Sequence, residues 1–182
     1  MVCYITGVDS SGQESGAYSE RVANISGKLG VKHIVFSGLE NVTKLTKGKL
    51  EVPHFDGKGE KEDYFREHGA PITSIRIAVN FLNVFKPVKT DIAMEGLPLD
   101  GVSVRDLGEV VGAILKNLKV HAGKETGLST DKRTVDNILE KPSKTPRIFQ
   151  LDMKLPARNK DPTLKLNPNA KSFDEWMSEK ND

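Results

Sequence analysis

Two side chains four residues apart, His54 and Lys58 in the segment HFDGK, are the pair whose types and spacing could do chemistry. In an α-helix, positions i and i+4 lie on one face, so this imidazole and this ammonium can point together into a cleft. A cation held beside a proton donor lowers the pKa of that donor. The spacing therefore raises the hypothesis that His54 is an acid assisted by Lys58.

Short-chain dehydrogenases use the same spacing with a tyrosine as the acid, where the lysine binds the nicotinamide ribose and lowers the tyrosine pKa. An imidazole instead starts at a pKa of about 6.5, and a neighbouring lysine lowers it further. His54 would then be mostly neutral and a poor proton donor. We therefore assign no catalytic residue, and His54 is only a weak candidate. Lys58 could still bind a cofactor. Two solvated side chains on a surface helix remain the alternative.

A glycine-rich segment, ITGVDSSGQESG, follows the first predicted strand and precedes a helix, as phosphate-binding loops do. Gly7, Gly12 and Gly16 do not have the G-x-G-x-x-G spacing, and the lysine of a P-loop is absent. We therefore interpret it as an ordinary surface loop. Cys3 is the only cysteine, which excludes a Cys-rich zinc site, and we predict no metal site.

Composition bounds the class of protein and its partners. The 182 residues are enough for one domain, or one domain with a small appendage. A net charge of +2, from 27 basic and 25 acidic residues, gives no electrostatic case for nucleic acid. No apolar run approaches the roughly 18 residues of a membrane span, and the N-terminus does not read as a signal peptide. We therefore expect a cytoplasmic protein without membrane contact.

Strand and helix patterns alternate in the first half of the chain. Tyr18, Val22, Ile25 and Leu29 recur at helical spacing, and Gly30 can end that helix in a left-handed conformation. The pattern favours a parallel sheet in an α/β fold. The predicted elements are, in order, the strand VCYIT, a helix over 16–29, the strand VKHIVFSG, a helix from Pro53 to His68 and the strand ITSIRIAV.

The second half is less regular, and we predict a Rossmann-type part over residues 1–85 and a smaller α+β part over 86–182. Ser103 is a good N-cap for a helix over 103–118 that packs on the sheet. GLST is a candidate strand, and Ser172 with Glu175 has capping-box spacing. The helix after Ser103 should carry one apolar stripe: Val104, Leu107, Val111, Ile114 and Leu115. The last helix should dock through three side chains: Phe173, Trp176 and Met177.

The block from GVKHIVFSGLEN through HFDGKGE to RIAVNF closely resembles the NmrA-like family, and within it the animal NmrA-like redox-sensor proteins. LPLDGVSVRDLGEVV, GLSTDKRT and LKLNPNAKSFDEW resemble later segments of the same family in the same order. These proteins are atypical relatives of short-chain dehydrogenases that bind NADP(H) and act as regulators. The resemblance implies a Rossmann domain with NADP(H) along the C-terminal strand edge. It also implies a strand end under the cofactor at Tyr4 to Gly7 and cofactor contacts from five residues: Lys58, Ala78, Val79, Asn80 and Phe81.

The chain also departs from the family pattern. The family's N-terminal glycine-rich loop and first three strands have no counterpart, so we expect a truncated sheet with weakened or lost NADP(H) binding. The strand VCYIT would then be an open edge, and the helix over 16–29 would be more labile than the one after Ser103. We expect protein partners or a homo-oligomer, in the cytoplasm and also the nucleus. The alternatives are an NAD(P)-dependent oxidoreductase using His54 and Lys58, or an interaction module that binds no nucleotide.

Overall fold

The computed structural model describes residues 2–5, 15–81, 98–134 and 158–179. The chain forms two compact units, one of residues 1–76 with 114–126 and one of residues 77–113 with 127–182. The predicted domains, divided at residue 85, stay a prediction. The described elements are, in chain order, β1 (Val2–Ile5), α1 (Ser15–Lys28), β2 (His33–Gly38), α2 (Val42–Leu45), α3 (Pro53–Glu67), β3 (Ile72–Ile77), β4 (Val79–Asn80), β5 (Pro98–Val102), a 3₁₀ turn (Val104–Asp106), α4 (Leu107–Lys116), α5 (Leu118–His121), β6 (Glu125–Leu128), β7 (Asp131–Thr134), α6 (Lys160–Leu166) and α7 (Phe173–Ser178).

A four-stranded sheet has the order β1-β2-β3-β6. The pairs β1–β2 and β2–β3 are parallel, with helices α1 and α3 in the connections between them. Every residue of β2 is buried, as in a strand covered on both faces. The predicted α/β class and the β-α-β-α-β order are therefore confirmed.

The core of the first unit forms where α3 covers β2 and β3. Four buried side chains make one cluster, in which the rings of Phe36 and Phe65 lie 5.7 Å apart. Pro53 starts α3 at a position where a missing N–H costs nothing, as predicted. The cluster consists of Ile34, Phe36, Phe65 and Ile72, with Val22, Val31 and Ala70 packed against it.

Helix α1 has the predicted length but presents a different face to the core. Val22 packs on the cluster and Ser26, one turn later, is buried. Ile25 and Leu29 are 53% and 61% exposed, so the predicted stripe is wrong for these two residues. Ile25 lies about 100° around the helix axis from the buried Ser26, which turns it away from the core, and Leu29 follows the last residue of α1. Gly30 follows the helix with a φ of 61°, as predicted.

The second unit contains a three-stranded sheet of order β4-β5-β7, in which β5 is parallel to β4 and antiparallel to β7. The side chain of Ser103 accepts the N–H of Arg105, confirming the predicted cap. The helix begins with a 3₁₀ turn, and its tighter winding shifts the phase of the apolar stripe. Val104 is consequently 46% exposed, while the unpredicted Val110 is buried.

The C-terminal helix α7 matches its prediction. Ser172 and Glu175 form a complete capping box. Phe173 and Trp176 are buried against Phe81, and Met177 packs beside them. The sequence did not indicate α6 or β7, and the predicted irregular connection up to residue 97 lies outside the described residues. In the described ranges, no helix has both the length and the hydrophobicity needed to cross a bilayer.

Candidate functional site

The N-terminal end of α3 is held in place by Asp56. Its carboxylate accepts hydrogen bonds from the N–H and hydroxyl of Thr43, both at 2.9 Å, and from the N–H of Val52 at 2.8 Å. Burial opposes the charge of Asp56, but the hydrogen bonds from Thr43 and Val52 offset it, so the pKa of Asp56 lies below its usual value. A Cβ on Gly59 would meet the backbone nitrogen of Asn41 at 2.6 Å. The helix therefore lies directly against the chain that leaves the carboxyl end of β2.

His54 and Lys58 share one side of α3, as predicted, and both are partly buried. The pKa of His54 is lowered, first by burial and second by the charge of Lys58. The sequence analysis named only the second cause, and the structure adds the larger one. The buried Nδ1 atom of His54 has no hydrogen-bond partner in the described ranges of the chain. His54 is thus a neutral imidazole at neutral pH, which makes it a poor general acid.

Lys58 is the more informative member of the pair. Burial lowers its pKa, and the nearby charge of Lys61 lowers it further. Within the described part of the chain, no hydrogen bond or ion pair engages the ammonium of Lys58. An amine that is partly desolvated and lacks a counter-ion can bind an external acceptor, such as a hydroxyl or an anion. The i,i+3 spacing of Lys58 and Lys61 was a visible signal that the sequence analysis did not use.

The C-terminal half of α3 carries a charged network that the sequence analysis missed. Glu62 is 2% exposed and accepts hydrogen bonds from Ser74 at 2.6 Å, Arg66 at 3.0 Å and Arg76 at 3.3 Å. Arg76 also forms an ion pair with Glu125 at 2.9 Å. The i,i+4 spacing of Glu62 and Arg66 was a visible signal, but their partners on β3 and β6 are distant in sequence. This network ties α3 to the sheet.

The predicted segment Ala78 to Phe81 lies in the second unit. The N–H of Ala78 donates to the carbonyl of Leu128 at 3.0 Å, and Val79 and Asn80 form β4. Ala78 and Phe81 are buried, and Phe81 is packed at 5.3 Å from the ring of Phe173. Val79 and Asn80 are only partly buried, so these two positions are the more accessible to a ligand. A cofactor contact at Ala78–Phe81 stays a prediction.

Beside this segment is a small open cleft. Asp131 is buried there and accepts from the Nε of Arg133 and the N–H of Phe173, at 2.9 and 3.1 Å. Burial opposes the charge of Asp131, but those hydrogen bonds outweigh it and lower the pKa of the carboxyl. Arg133 also pairs with Asp174, so the cleft's charges satisfy each other. Its lining consists of Val79, Phe81, Leu99, Gly101, Asp131, Arg133 and Phe173.

The structure thus brings His54 and Lys58 together on α3 in the first unit. It places Ala78 to Phe81 together along β4 in the second unit. Among the residues that the structure describes, no group of His, Cys, Asp and Glu side chains could hold a metal ion.

Solved structures with the same fold include proteins that hold nicotinamide cofactors. NmrA, described as a negative transcriptional regulator, aligns with a TM-score of 0.73 at 17% identity over 95% of this chain and 71% of NmrA. A structure of NmrA in complex with NADP aligns with a TM-score of 0.72 at 16% identity over 96% of this chain and 72% of NmrA. The Citrobacter triphenylmethane reductase complexed with NADP(H) aligns at 0.69 and 15% identity, over 98% of this chain and 76% of the reductase. These likenesses establish the NAD(P)-binding Rossmann-like α/β fold.

Sequence comparison identifies the family. An NmrA-like family domain-containing protein of Dictyostelium discoideum is 30% identical over 141 residues, which is 68% of this chain and 47% of that protein. NmrA-like family domain-containing protein 1 of Rattus norvegicus is 50% identical over 46 residues, 25% of this chain and 27% of that protein. The match thus spans about half the length of the Dictyostelium protein and about a quarter of the length of the rat protein. The model of the NmrA-like family matches residues 5–146, and the chain belongs to that family.

Proposed function

We propose that this protein is a noncatalytic regulator of the NmrA-like family that responds to NADP(H) and acts through protein partners. The family match supports the proposal, as does the fold shared with NmrA, a negative transcriptional regulator that has been solved with NADP. One observation carries it: on α3, Lys58, which has no ion-pair partner among the described residues, lies one turn from a His54 whose pKa is lowered. A ligand-binding cation is retained beside an imidazole that is a poor acid.

We propose that NADP(H) contacts Lys58 and the segment Ala78 to Phe81. The affinity should be low, because Gly7, Gly12 and Gly16 lack the spacing that presents backbone N–H groups to a pyrophosphate. Calorimetric titration of the 182-residue chain with NADPH should give a Kd no tighter than about 100 μM, or about −5.5 kcal/mol. Lys58→Met should weaken it further.

Two results of that titration would decide against the proposal in different ways. A Kd in the micromolar range would show that the chain builds a complete cofactor site. Absence of binding at millimolar NADPH would instead favour an interaction module that uses no nucleotide. The exposed Lys49→Met variant provides the control for nonspecific loss of a positive charge.

The noncatalytic part of the proposal is tested separately. NADPH oxidation should stay at the background rate with quinones and aldehydes, because a neutral imidazole is too weak an acid to protonate a developing alkoxide efficiently. Turnover that disappears in both His54→Phe and Lys58→Met would establish the oxidoreductase alternative.

We further propose that the protein works in the cytoplasm and the nucleus, bound to a protein partner or to a second copy of itself. The near-balanced charge of +2 supports a protein partner over nucleic acid. Light scattering of the purified chain should detect self-association, and imaging of the tagged protein should detect it in both compartments. A monomer confined to one compartment that recovers no partner in crosslinking would contradict this proposal.

A further inference from the structure

Lys58 differs from an ordinary surface lysine in its surroundings. It lies in the middle of α3, partly buried but still reachable from solvent. Lys61, one turn later, is 7% exposed, and the charges of the two ammonium groups repel each other. By contrast, Lys44 is exposed and pairs with Asp63 at 2.5 Å, which raises the pKa of Lys44. The pKa values of Lys58 and Lys44 are thus shifted in opposite directions.

The charged groups around Lys58 do not neutralise it. On α3 itself, His54 lies one turn before and Lys61 one turn after, and the Glu62 carboxylate, also one turn after, is engaged by Ser74, Arg66 and Arg76. The helices α1 and α2 and the strand β2 also pack around α3. In the described residues of these elements, no carboxylate forms an ion pair with Lys58. Carrying a proton on this amine therefore costs free energy that hydration and a counter-ion normally recover.

We propose that Lys58 is a carbonyl-reactive amine, a site that condenses with small aldehydes to form an imine. The unprotonated amine is the nucleophile, and this environment favours that form. The Nζ lone pair attacks the carbonyl carbon, and the carbon–oxygen π electrons move to the oxygen, giving a carbinolamine. Loss of water then leaves the carbon–nitrogen double bond, and nothing is oxidised or reduced. This reactivity goes beyond the proposed regulatory function and requires no nucleotide.

His54 has a role in this chemistry that it does not have as an acid toward a hydride-transfer substrate. Carbinolamine formation needs a base to take the proton from Nζ, and dehydration needs that proton returned to the departing hydroxyl. A mostly neutral imidazole one turn away on the same side of the helix can do both. His54 is thus the residue that assists Lys58.

The test is trapping with pyridoxal, a small aldehyde, followed by borohydride reduction and peptide mass spectrometry. In the intact chain at neutral pH, Lys58 should be labelled about tenfold faster than Lys44, because the pKa of Lys58 is lowered and that of Lys44 is raised. Lys58→Arg should abolish labelling of that peptide alone. Labelling of Lys58 at the rate of Lys44 or more slowly would overturn the proposal.

Variants at Lys61 separate amine chemistry from simple accessibility. Lys61→Met removes the neighbouring charge and should slow labelling of Lys58 by about threefold to tenfold at neutral pH. The slowing should vanish at alkaline pH, where the amine is neutral in both proteins. Lys61→Arg keeps the charge and should keep the rate, which also controls for damage to the fold. Equal rates for all three proteins at neutral pH would contradict the proposal.

Discussion

The charged side chains in the two halves of α3 have opposite surroundings. Near the C-terminal end, the buried Glu62 carboxylate receives hydrogen bonds from Ser74, Arg66 and Arg76. Near the N-terminal end, Lys58 has no partner in the described residues, and its one charged influence is the repulsive Lys61. A satisfied buried charge holds elements together, whereas an unsatisfied one costs stability and persists where a ligand or a reaction uses it. The comparison separates the half of the helix that ties it to the sheet from the half for which we propose a function.

The largest effect should come from breaking the satisfied half. Glu62→Gln removes the charge on which Arg66 and Arg76 converge, leaving the partly buried Arg76 with a weaker acceptor at this position. We expect a loss of about 3–5 kcal/mol in the free energy of unfolding, measured by urea denaturation. The control is Glu60→Gln, an exposed position on the same helix, which should change stability by less than about 0.5 kcal/mol. Equal losses of stability in Glu62→Gln and Glu60→Gln would contradict the structural role of Glu62.

The next effect concerns how closely α3 approaches the end of β2. Gly59→Ala places a methyl group against the backbone of Asn41, which cannot move aside as a side chain can. We expect a loss of about 1–3 kcal/mol and weaker binding of any ligand at Lys58. Gly27→Ala on α1 meets nothing within 4 Å, and it should instead stabilise by about 0.5–1 kcal/mol. Effects of the same sign in the two variants would contradict the close approach.

A smaller effect should appear in the unsatisfied half. Lys58→Met should be at least as stable as the natural protein at neutral pH, because it removes a charge that burial disfavours. Since the folded pKa of Lys58 is lowered, the unfolded chain binds more protons below about pH 10.4. The natural protein should therefore gain stability as the pH rises toward that value, and the variant should lack this gain. Urea midpoints across the alkaline range, with Lys49→Met as the control, measure the difference. A destabilised Lys58→Met would show that Lys58 is structural.

The smallest expected effect is a null result. His54→Tyr rebuilds the dehydrogenase spacing with Lys58, but general acid catalysis contributes only about 10²–10⁴-fold and requires a positioned cofactor and substrate. We expect no NADPH oxidation with carbonyl substrates. Turnover in this variant that is lost in the double variant His54→Tyr/Lys58→Met would establish that a competent cofactor site exists. The contrast between the halves of α3 would then extend to catalysis.

Sequence reasoning succeeded where the cause of a structure lies within a few residues. The continuous apolar run HIVFSG predicted a fully buried strand, and Pro53, Gly30 and the Ser172–Glu175 pair marked helix ends correctly. It failed at Ile25, Leu29 and Val104, which are apolar but exposed. Periodicity indicates which residues share a helix face, whereas docking decides which face is buried.

For the candidate site, the spacing in HFDGK by itself determined that His54 and Lys58 share one side of a helix, since helical geometry is local. Tertiary structure alone decided that both are partly desolvated and that burial outweighs Lys58 in lowering the pKa of His54. It also left Lys58 without a counter-ion among the residues that the structure describes. It also decided that Glu62 meets Ser74 and Arg76, which lie 12 and 14 residues away on β3. The physical reason is that burial and charge pairing depend on which elements pack together in space.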